Sequence, residues 1–548
     1  MLKPALYFFV VVLILTACQL TTPTTTISPP PTTTSALPQE TAVPALPQPA
    51  NQPPFDRTQP TPPPPSNGAV LFGLVGQPDS LNPLTDSHPV VGELAPLLFE
   101  TLLRVDPQSA RLQPGLAESW DYVAAGRQVV FHLPPNLTWS DGAPLTAAAI
   151  ADSLRATGHP ALAAFSRLEA PDEQTLKLTF AEIDCAAVTN LALLPLLPSS
   201  EITATLPTGS GPFIVAEWPV DQRRLNLIPN PNYRQPGPAL QNITIRFLRA
   251  DEVPIALSEG QFDLLGLLWA RPADIARPDF REITYPAAQM IYLAINFAPK
   301  NGEALPPELR QALLLALDRE TILQEALAGD GQLLAGSLLP GHWAANDRLA
   351  QPDYEPEAAR SILSRAGWRD RNGDGWLQSD DKRLQLGIRL NGQNELHQRL
   401  GWLASSYYRQ VGLLVRAESV PVDSVIDDLF THDFHLAIFG WPILPDPDQR
   451  LYWHSTENTA GIGLNFTSYR NPEVDRLLDA AVAVPGCDAA ERAEIYGDIQ
   501  QILAEERPVD FLLAPNRHLL VANRLQGLQP GPFAPFTWNI TDWSIAAE

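Results

Sequence analysis

Prolines decide where this chain can begin to fold. A proline fixes its own φ and removes a backbone donor, so a dense run of them excludes both helix interior and sheet ladder. The 548-residue chain has 57 prolines. They crowd the stretch 21–66, as in Pro29-Pro30-Pro31-Thr32-Thr33-Thr34 and Pro62-Pro63-Pro64-Pro65. The rest of that stretch is Thr, Ser and Gln with almost no aromatic residue. Such a composition cannot bury enough apolar surface to offset its chain entropy. Residues 19–66 are therefore expected to be an extended, partly polyproline spacer, with folding starting near residue 67. What remains has room for two or three domains, and an apolar share of 45% makes the bulk globular.

Ahead of the spacer, Lys3 supplies a positive start and residues 6–15 an uninterrupted apolar run. That run suits the hydrophobic region of an export signal and is too short for a resident membrane helix. Leu15-Thr16-Ala17-Cys18 follows and resembles a bacterial lipobox. It implies a signal peptide over 1–18, lipidation of Cys18, and an anchor on the outer face of the cytoplasmic membrane. The formal net charge of -24 and only four lysines, Lys3, Lys177, Lys300 and Lys382, exclude nucleic acid and anionic membrane surfaces as partners. Export permits a disulfide between Cys185 and Cys487. Hundreds of residues separate them, so the sequence leaves a disulfide and two buried thiols both open.

Within the folded part, residues 434–439 read as a strand buried on both faces. Gly440 then frees the backbone, and Pro442, Pro445 and Pro447 are expected to forbid any further ladder. Trp441 empties into this stiff loop, either as a core residue capping the strand or as a pocket wall. Elsewhere, strands are expected at 70–75 and 128–133 and a helix at 93–103. Thr146 should cap the alanine-rich helix that follows it. Pro356 and Gly367 bracket another helix. Val474, Leu477, Leu478, Ala481 and Val482 share one helical face behind an Asn471-Pro472 cap. Asp488 and Glu491 have capping-box spacing for a helix that Pro508 stops. Helices alternating with short apolar strands argue for α/β lobes.

Ser80-Leu81-Asn82-Pro83, Leu116-Ala117-Glu118-Ser119-Trp120 and Trp139-Ser140-Asp141-Gly142-Ala143-Pro144-Leu145-Thr146-Ala147 resemble the opening signature of the family 5 extracellular solute-binding proteins, the oligopeptide- and dipeptide-binding components of ABC importers. Further matches are Gly209-Ser210-Gly211-Pro212-Phe213, Asn230-Pro231-Asn232-Tyr233, Tyr292-Leu293-Ala294-Ile295-Asn296-Phe297, Arg310-Gln311-Ala312-Leu313, Ala316-Leu317-Asp318-Arg319 and Asn471-Pro472-Glu473-Val474-Asp475. Segments in this order, spread over about 70–545, make the signal specific. The resemblance implies a two-lobed, hinged α/β periplasmic-binding-protein fold (type II). Lobe 1 would be 67–295 with an extra subdomain at about 100–205, lobe 2 would be 296–507, and 508–548 would return to lobe 1.

A monomer is implied, closing on an extracellular solute and passing it to permease subunits. The same fold also serves sensing. Neighbouring permease and ATPase genes would mark transport, and a membrane kinase would mark sensing. By resemblance the ligand-facing residues are Trp441 and Asn465, with Asn296 and Phe297 at the hinge, Asp86 and His88 on the opposite loop, and Asp446 in the proline loop. In peptide-binding members an aspartate three residues beyond this tryptophan pairs with the peptide α-ammonium. Here that position is Leu444. A leucine cannot neutralise a buried ammonium, so a neutral ligand, such as an oligosaccharide stacking on Trp441, rivals a peptide.

Two chemistries remain to be weighed. Asp370, Asn372, Asp374 and Asp381 stand at loop positions 1, 3, 5 and 12, with Gly375 at position 6. This is the spacing of an EF-hand-type calcium loop, although an Asx-turn needs the same residue types. No nucleophile elbow, zinc-helix motif or phosphate-binding loop is present, so no enzyme activity is expected and no cofactor beyond a structural Ca²⁺.

Overall fold

The computed structural model describes residues 68–546, apart from 235, 261, 269–277, 302–303 and 380–381. The signal peptide, Cys18, the spacer and Asp381 lie outside the described residues.

Two sheet halves are built on one continuous strand, Val509–Ala522. Its second half pairs antiparallel with Phe280–Pro286, from Pro286↔Asn516 to Phe280↔Ala522. Its first half pairs antiparallel with Gln289–Ile295, from Ile291↔Leu513 to Ala294↔Val509. Both strands therefore cross between lobes at the same level, and Ala287 N donates to Pro515 O there (2.8 Å). Gln289–Ile295 ladders with Leu436–Pro442 of lobe 2, with Ile295↔Leu436 and Met290↔Trp441 in register. An apolar run reads alike in either lobe, so only its pairing assigns it.

In lobe 1, Ala69–Val75 is flanked by parallel Asn242–Leu248 and Leu264–Leu268. Val70, Phe72, Leu74, Ile243, Ile245 and Phe247 alternate into a core closed by helix Pro89–Leu98 and by Trp543. That helix starts and ends earlier than the expected 93–103. His88 caps it through Nδ1, which accepts from Val90 N (3.2 Å), and Pro89 sits at the first position, where its missing N–H costs nothing. Leu103–Val105 is instead a strand paired with Leu112–Pro114.

The subdomain is an antiparallel sheet ordered Ser119–Val123, Gln128–His132, Thr175–Phe180, Phe165–Glu169. Val129, Phe131, Leu176 and Leu178 pack on Ile150 and Leu154 of helix Ala147–Thr157, which Thr146 caps as expected.

Lobe 2 buries both faces of its sheet. Ile291, Leu293, Ile295, Leu436 and Ile438 point to one side, under helices Pro307–Leu315, Arg319–Leu327 and Glu395–Gln410. Met290, Tyr292, Ala294, Ala437, Phe439 and Trp441 point to the other, under helices Pro472–Val482 and Ala489–Glu506. The strand expected at 434–439 runs instead over Leu436–Pro442. Gly440 stays in the ladder, and a Cβ there would lie 2.5 Å from Met290 O, so this glycine serves close approach and not a turn. Pro442, which lacks a donor, ends the strand opposite Gln289.

Cys185 and Cys487 form a disulfide with Cα atoms 5.5 Å apart, the one of the two open alternatives that the fold selects. The bond closes a loop of 302 residues, a contact that only the fold creates.

Two histidines of lobe 2 make the fold acid-sensitive. Burial pushes His397, on helix Glu395–Gln410, down to about 4. Burial also pushes His342 down to about 4, against the opposing pull of the Leu444 carbonyl. In the unfolded chain both titrate near 6.5. Below that pH the unfolded state takes up protons that the folded state refuses, so stability is lost as pH falls from roughly 6.5 towards 4. Urea midpoints measured across this window should fall for the wild type and fall less steeply for His397→Leu.

Candidate functional site

The proline loop after Leu436–Pro442 is anchored at several points. Ile443 N still donates to Ala288 O (2.8 Å), which carries the ladder up to the interlobe crossing. His342 Nε2 donates to Leu444 O (3.3 Å) while its Nδ1 accepts from Ala344 N (3.1 Å), which defines a neutral imidazole. Trp343 Nε1 donates to Pro445 O (3.1 Å). A loop whose prolines cannot donate is thus held through its carbonyls.

Its two aspartates are equally committed. Asp446 takes a two-pronged ion pair from Arg492 (2.8 and 3.0 Å), with both side chains about 5% exposed or less. Asp446 also accepts from Thr189 Oγ1 (3.0 Å) and from Asp448 N (3.1 Å). Arg492 Nε donates to Ala481 O (2.9 Å), and the guanidinium lies 5.3 Å from the Trp343 ring centre and 5.6 Å from that of Tyr496. Burial opposes its charge, but Asp446 and Tyr496 outweigh that and hold Arg492 protonated. Asp448 pairs with Arg450 (2.7 Å), which also reaches Asp184 (2.9 Å). Asp446 therefore braces the loop, its carboxylate held by Arg492, Thr189 and Asp448 N. The apolar side chain that the loop does expose is Leu444, at 43%.

Trp441 stands beside this loop, on the core face of the strand. It stacks on Tyr452 (centroids 4.5 Å apart, planes at 19°) and on Phe466 (5.6 Å, 23°), and meets Phe439 edge-on (6.0 Å). Only 2% of it is exposed. Its ring packs among lobe 2 neighbours, the arrangement that the core alternative describes. Asn465 lies in the same core and is fully buried. Its Nδ2 donates to the carbonyls of Trp453, His454 and Tyr469, and its Oδ1 accepts from Thr467 Oγ1 and Tyr469 N. Every polar position of that amide is engaged by its own loop.

The remaining expected residues are not gathered here. Asn296 donates to the carbonyls of His432 and Phe434 and accepts from Ala298 N. It follows Ile295, which pairs with Leu436, so it lies at the opposite end of the strand pair from Trp441, roughly 20 Å away at a rise of about 3.3 Å per residue. Phe297 beside it packs edge-on against Tyr469 (5.8 Å) under the Arg310 guanidinium (4.4 Å). Asp86 accepts from Ser80 N and His88 N, and His88 lies over Gly76, so both shape the first loop of lobe 1. At the carboxyl ends of parallel Ala69–Val75 and Asn242–Leu248 is a cavity of about 370 Å³, lined by Gly76, Gln77, Phe247, Arg223 and Arg249. Sheets of this kind bind ligands at such ends, although Glu252 already pairs with both arginines.

The calcium expectation is not supported by the loop chemistry. Both Asp370 oxygens cap backbone donors, of Gly373 (2.8 Å) and Gly375 (2.9 Å), and Asp374 pairs with Arg383. Among the described residues no group of three His, Cys, Asp or Glu could hold a metal ion. The loop acts as the Asx-turn that the same residues permit.

Arg492, Thr189, His342 and Trp343 were not anticipated. Arg492 alone left a trace in the sequence, as an arginine in register with Tyr496, Ile499 and Leu503 on the buried face of its helix.

The sequence profile of the bacterial extracellular solute-binding proteins, family 5 Middle, matches residues 111–461. The chain belongs to that family. Among its relatives, the oligopeptide-binding protein AppA of Bacillus subtilis is 25% identical over 516 residues, covering 88% of this chain and 92% of AppA. The probable D,D-dipeptide-binding periplasmic protein DdpA of Escherichia coli is 24% identical over 465 residues, covering 80% and 86%. In fold, the chain resembles the structure of B. subtilis AppA in complex with a nonapeptide (TM-score 0.68, 24% identity, 88% of this chain and all of that one). It also resembles HbpA2 from Haemophilus parasuis (TM-score 0.74, 18% identity, 87% and 100%). The family is one of solute-binding proteins that act outside the cell. Among the described residues no helix is long and apolar enough to cross a membrane.

Proposed function

We propose that this family 5 protein captures a peptide or similar solute between its lobes and hands it to the permease of an ABC importer, tethered meanwhile by a lipid on Cys18. The observation that carries this reading is the paired crossing at Ala287 and Pro515, a narrow joint between two α/β lobes of the kind that lets such a cleft close. Relatives named for oligopeptides and dipeptides support the solute class.

The proline loop narrows that class. Leu444 is its exposed member and Asp446 is neutralised by Arg492, so this loop offers no free carboxylate to a ligand ammonium. The ligand end that meets it is apolar or neutral, as in an N-blocked peptide. An oligosaccharide stacking on Trp441 loses its platform, because Tyr452 and Phe466 occupy that ring.

Mass spectrometry of solutes co-purifying with the native protein tests the proposal directly. Matched N-acetylated and free-amine peptides should then bind with the blocked form at least as tight. Binding that requires the free amine would overturn this account of the ligand end. For the tether, Cys18→Ser should move the protein from the membrane fraction to the aqueous one, and retention on the membrane would refute lipidation there.

A further inference from the structure

The subdomain is fastened to lobe 2 along one edge by bonds of several kinds. Cys185 opens helix Cys185–Ala192, and its disulfide partner Cys487 lies in the turn between helices Pro472–Val482 and Ala489–Glu506. One turn further along that helix, Thr189 donates to Asp446 (3.0 Å), and on its other side Asp184 pairs with Arg450 (2.9 Å). The hairpin tip at Gly126 (φ 80°) approaches so closely that a Cβ there would lie 2.2 Å from Gly486 N. Farther along the edge, Trp343 N donates to Ser109 O (2.8 Å).

The same subdomain is bonded to lobe 1. Asn232 Nδ2 donates to Ser140 O (2.9 Å), and Arg234 pairs with Glu100 (2.8 Å). Besides non-covalent packing such as Phe533 on His342 (centroids 5.2 Å apart), the lobes are thus joined at the two strand crossings and again, through the subdomain, at an edge remote from them in the chain. A hinge made only of the two crossings could rotate the lobes apart. A third, covalent attachment opposes that rotation.

We propose that the Cys185–Cys487 disulfide is a redox latch, which in its oxidised form holds the subdomain against lobe 2 and keeps this edge of the interlobe cleft shut. Its release needs an external dithiol. Cys185 is buried and Cys487 partly exposed, so the attacking thiolate bonds to Cys487 Sγ while Cys185 leaves as a thiolate and takes up a proton. The second thiol of the dithiol then resolves the mixed disulfide, leaving two cysteine thiols and one oxidised dithiol. This inference rests on the two-lobed fold and not on the identity of the ligand.

Hydrogen exchange read by mass spectrometry tests it on the full chain from an oxidising compartment, before and after dithiothreitol with alkylation of the freed thiols. Peptide mapping without reductant should recover Cys185 linked to Cys487. Reduction should speed exchange at least tenfold in peptides covering 105–112, 341–345 and 484–489, and leave the crossing strand at 509–513 unchanged. The Cys185→Ser/Cys487→Ser double variant should match the reduced protein, and if it does not fold, the reduced and alkylated wild type carries the comparison alone. Free thiols at both positions, unchanged exchange on reduction, or a uniform rise across both lobes would each overturn the latch. The last would mean that the bond merely stabilises the whole fold.

Discussion

Truncating Arg492 to alanine is expected to destabilise the protein by about 3–5 kcal/mol, the cost of breaking a buried ion pair from one side. Arg492 and Asp446 are both about 5% exposed or less, and three of the guanidinium nitrogens are spent, two on the Asp446 oxygens and one on Ala481 O. Removing the arginine leaves Asp446 charged in a place that water does not reach, with Thr189 Oγ1 and Asp448 N as its remaining recorded donors. Denaturant unfolding of the variant against wild type gives the number directly. Replacing both partners, as Asp446→Leu with Arg492→Met, should recover much of the loss, because the penalty lies in the orphaned charge more than in the missing contact. A loss below roughly 1 kcal/mol for Arg492→Ala would mean that the pair behaves like an exposed one.

The other large effect is at Trp441. Replacing it by alanine should cost about 3–5 kcal/mol in stability, the range for emptying an aromatic site in a core. Tyr452, Phe466 and Phe439 would lose their common neighbour. Trp441→Phe, which keeps a ring on the same face, should cost less. The measurement that distinguishes core from cleft is affinity per folded molecule, read with whatever solute co-purifies. It should change little in Trp441→Phe while the unfolding midpoint falls. Lost affinity at unchanged stability would instead return the ring to the ligand.

These two residues show where sequence reasoning stops. Caps, amphipathic faces and turns are local chemistry, decided within a few residues. So the Asn471 cap, the buried face of Pro472–Val482 and the Asp488 cap, whose side chain accepts from Ala490 N and Glu491 N, stand where the sequence places them. The family was legible for the same reason, as its signature is a chain of local turns in a set order, and the profile match over 111–461 agrees with it.

The site was less legible, because its chemistry is made by partners far apart in the chain. Trp441, Asn465 and Asp446 were expected to face a ligand, and each has neighbours in the fold that no spacing rule connects to it. Asp446 finds Arg492 46 residues on and Thr189 257 residues back.

By itself, then, the sequence determined the proline-rich start, the α/β character, several helix caps and the family. The tertiary structure alone decided that Gly440 stays in a strand, that Gln289–Ile295 ladders with Leu436–Pro442, and that Cys185 meets Cys487 across 302 residues. The physical reason is common to all three. Each depends on which strand or helix comes to lie alongside another, a choice made by burial of whole faces and invisible to any window of a few residues.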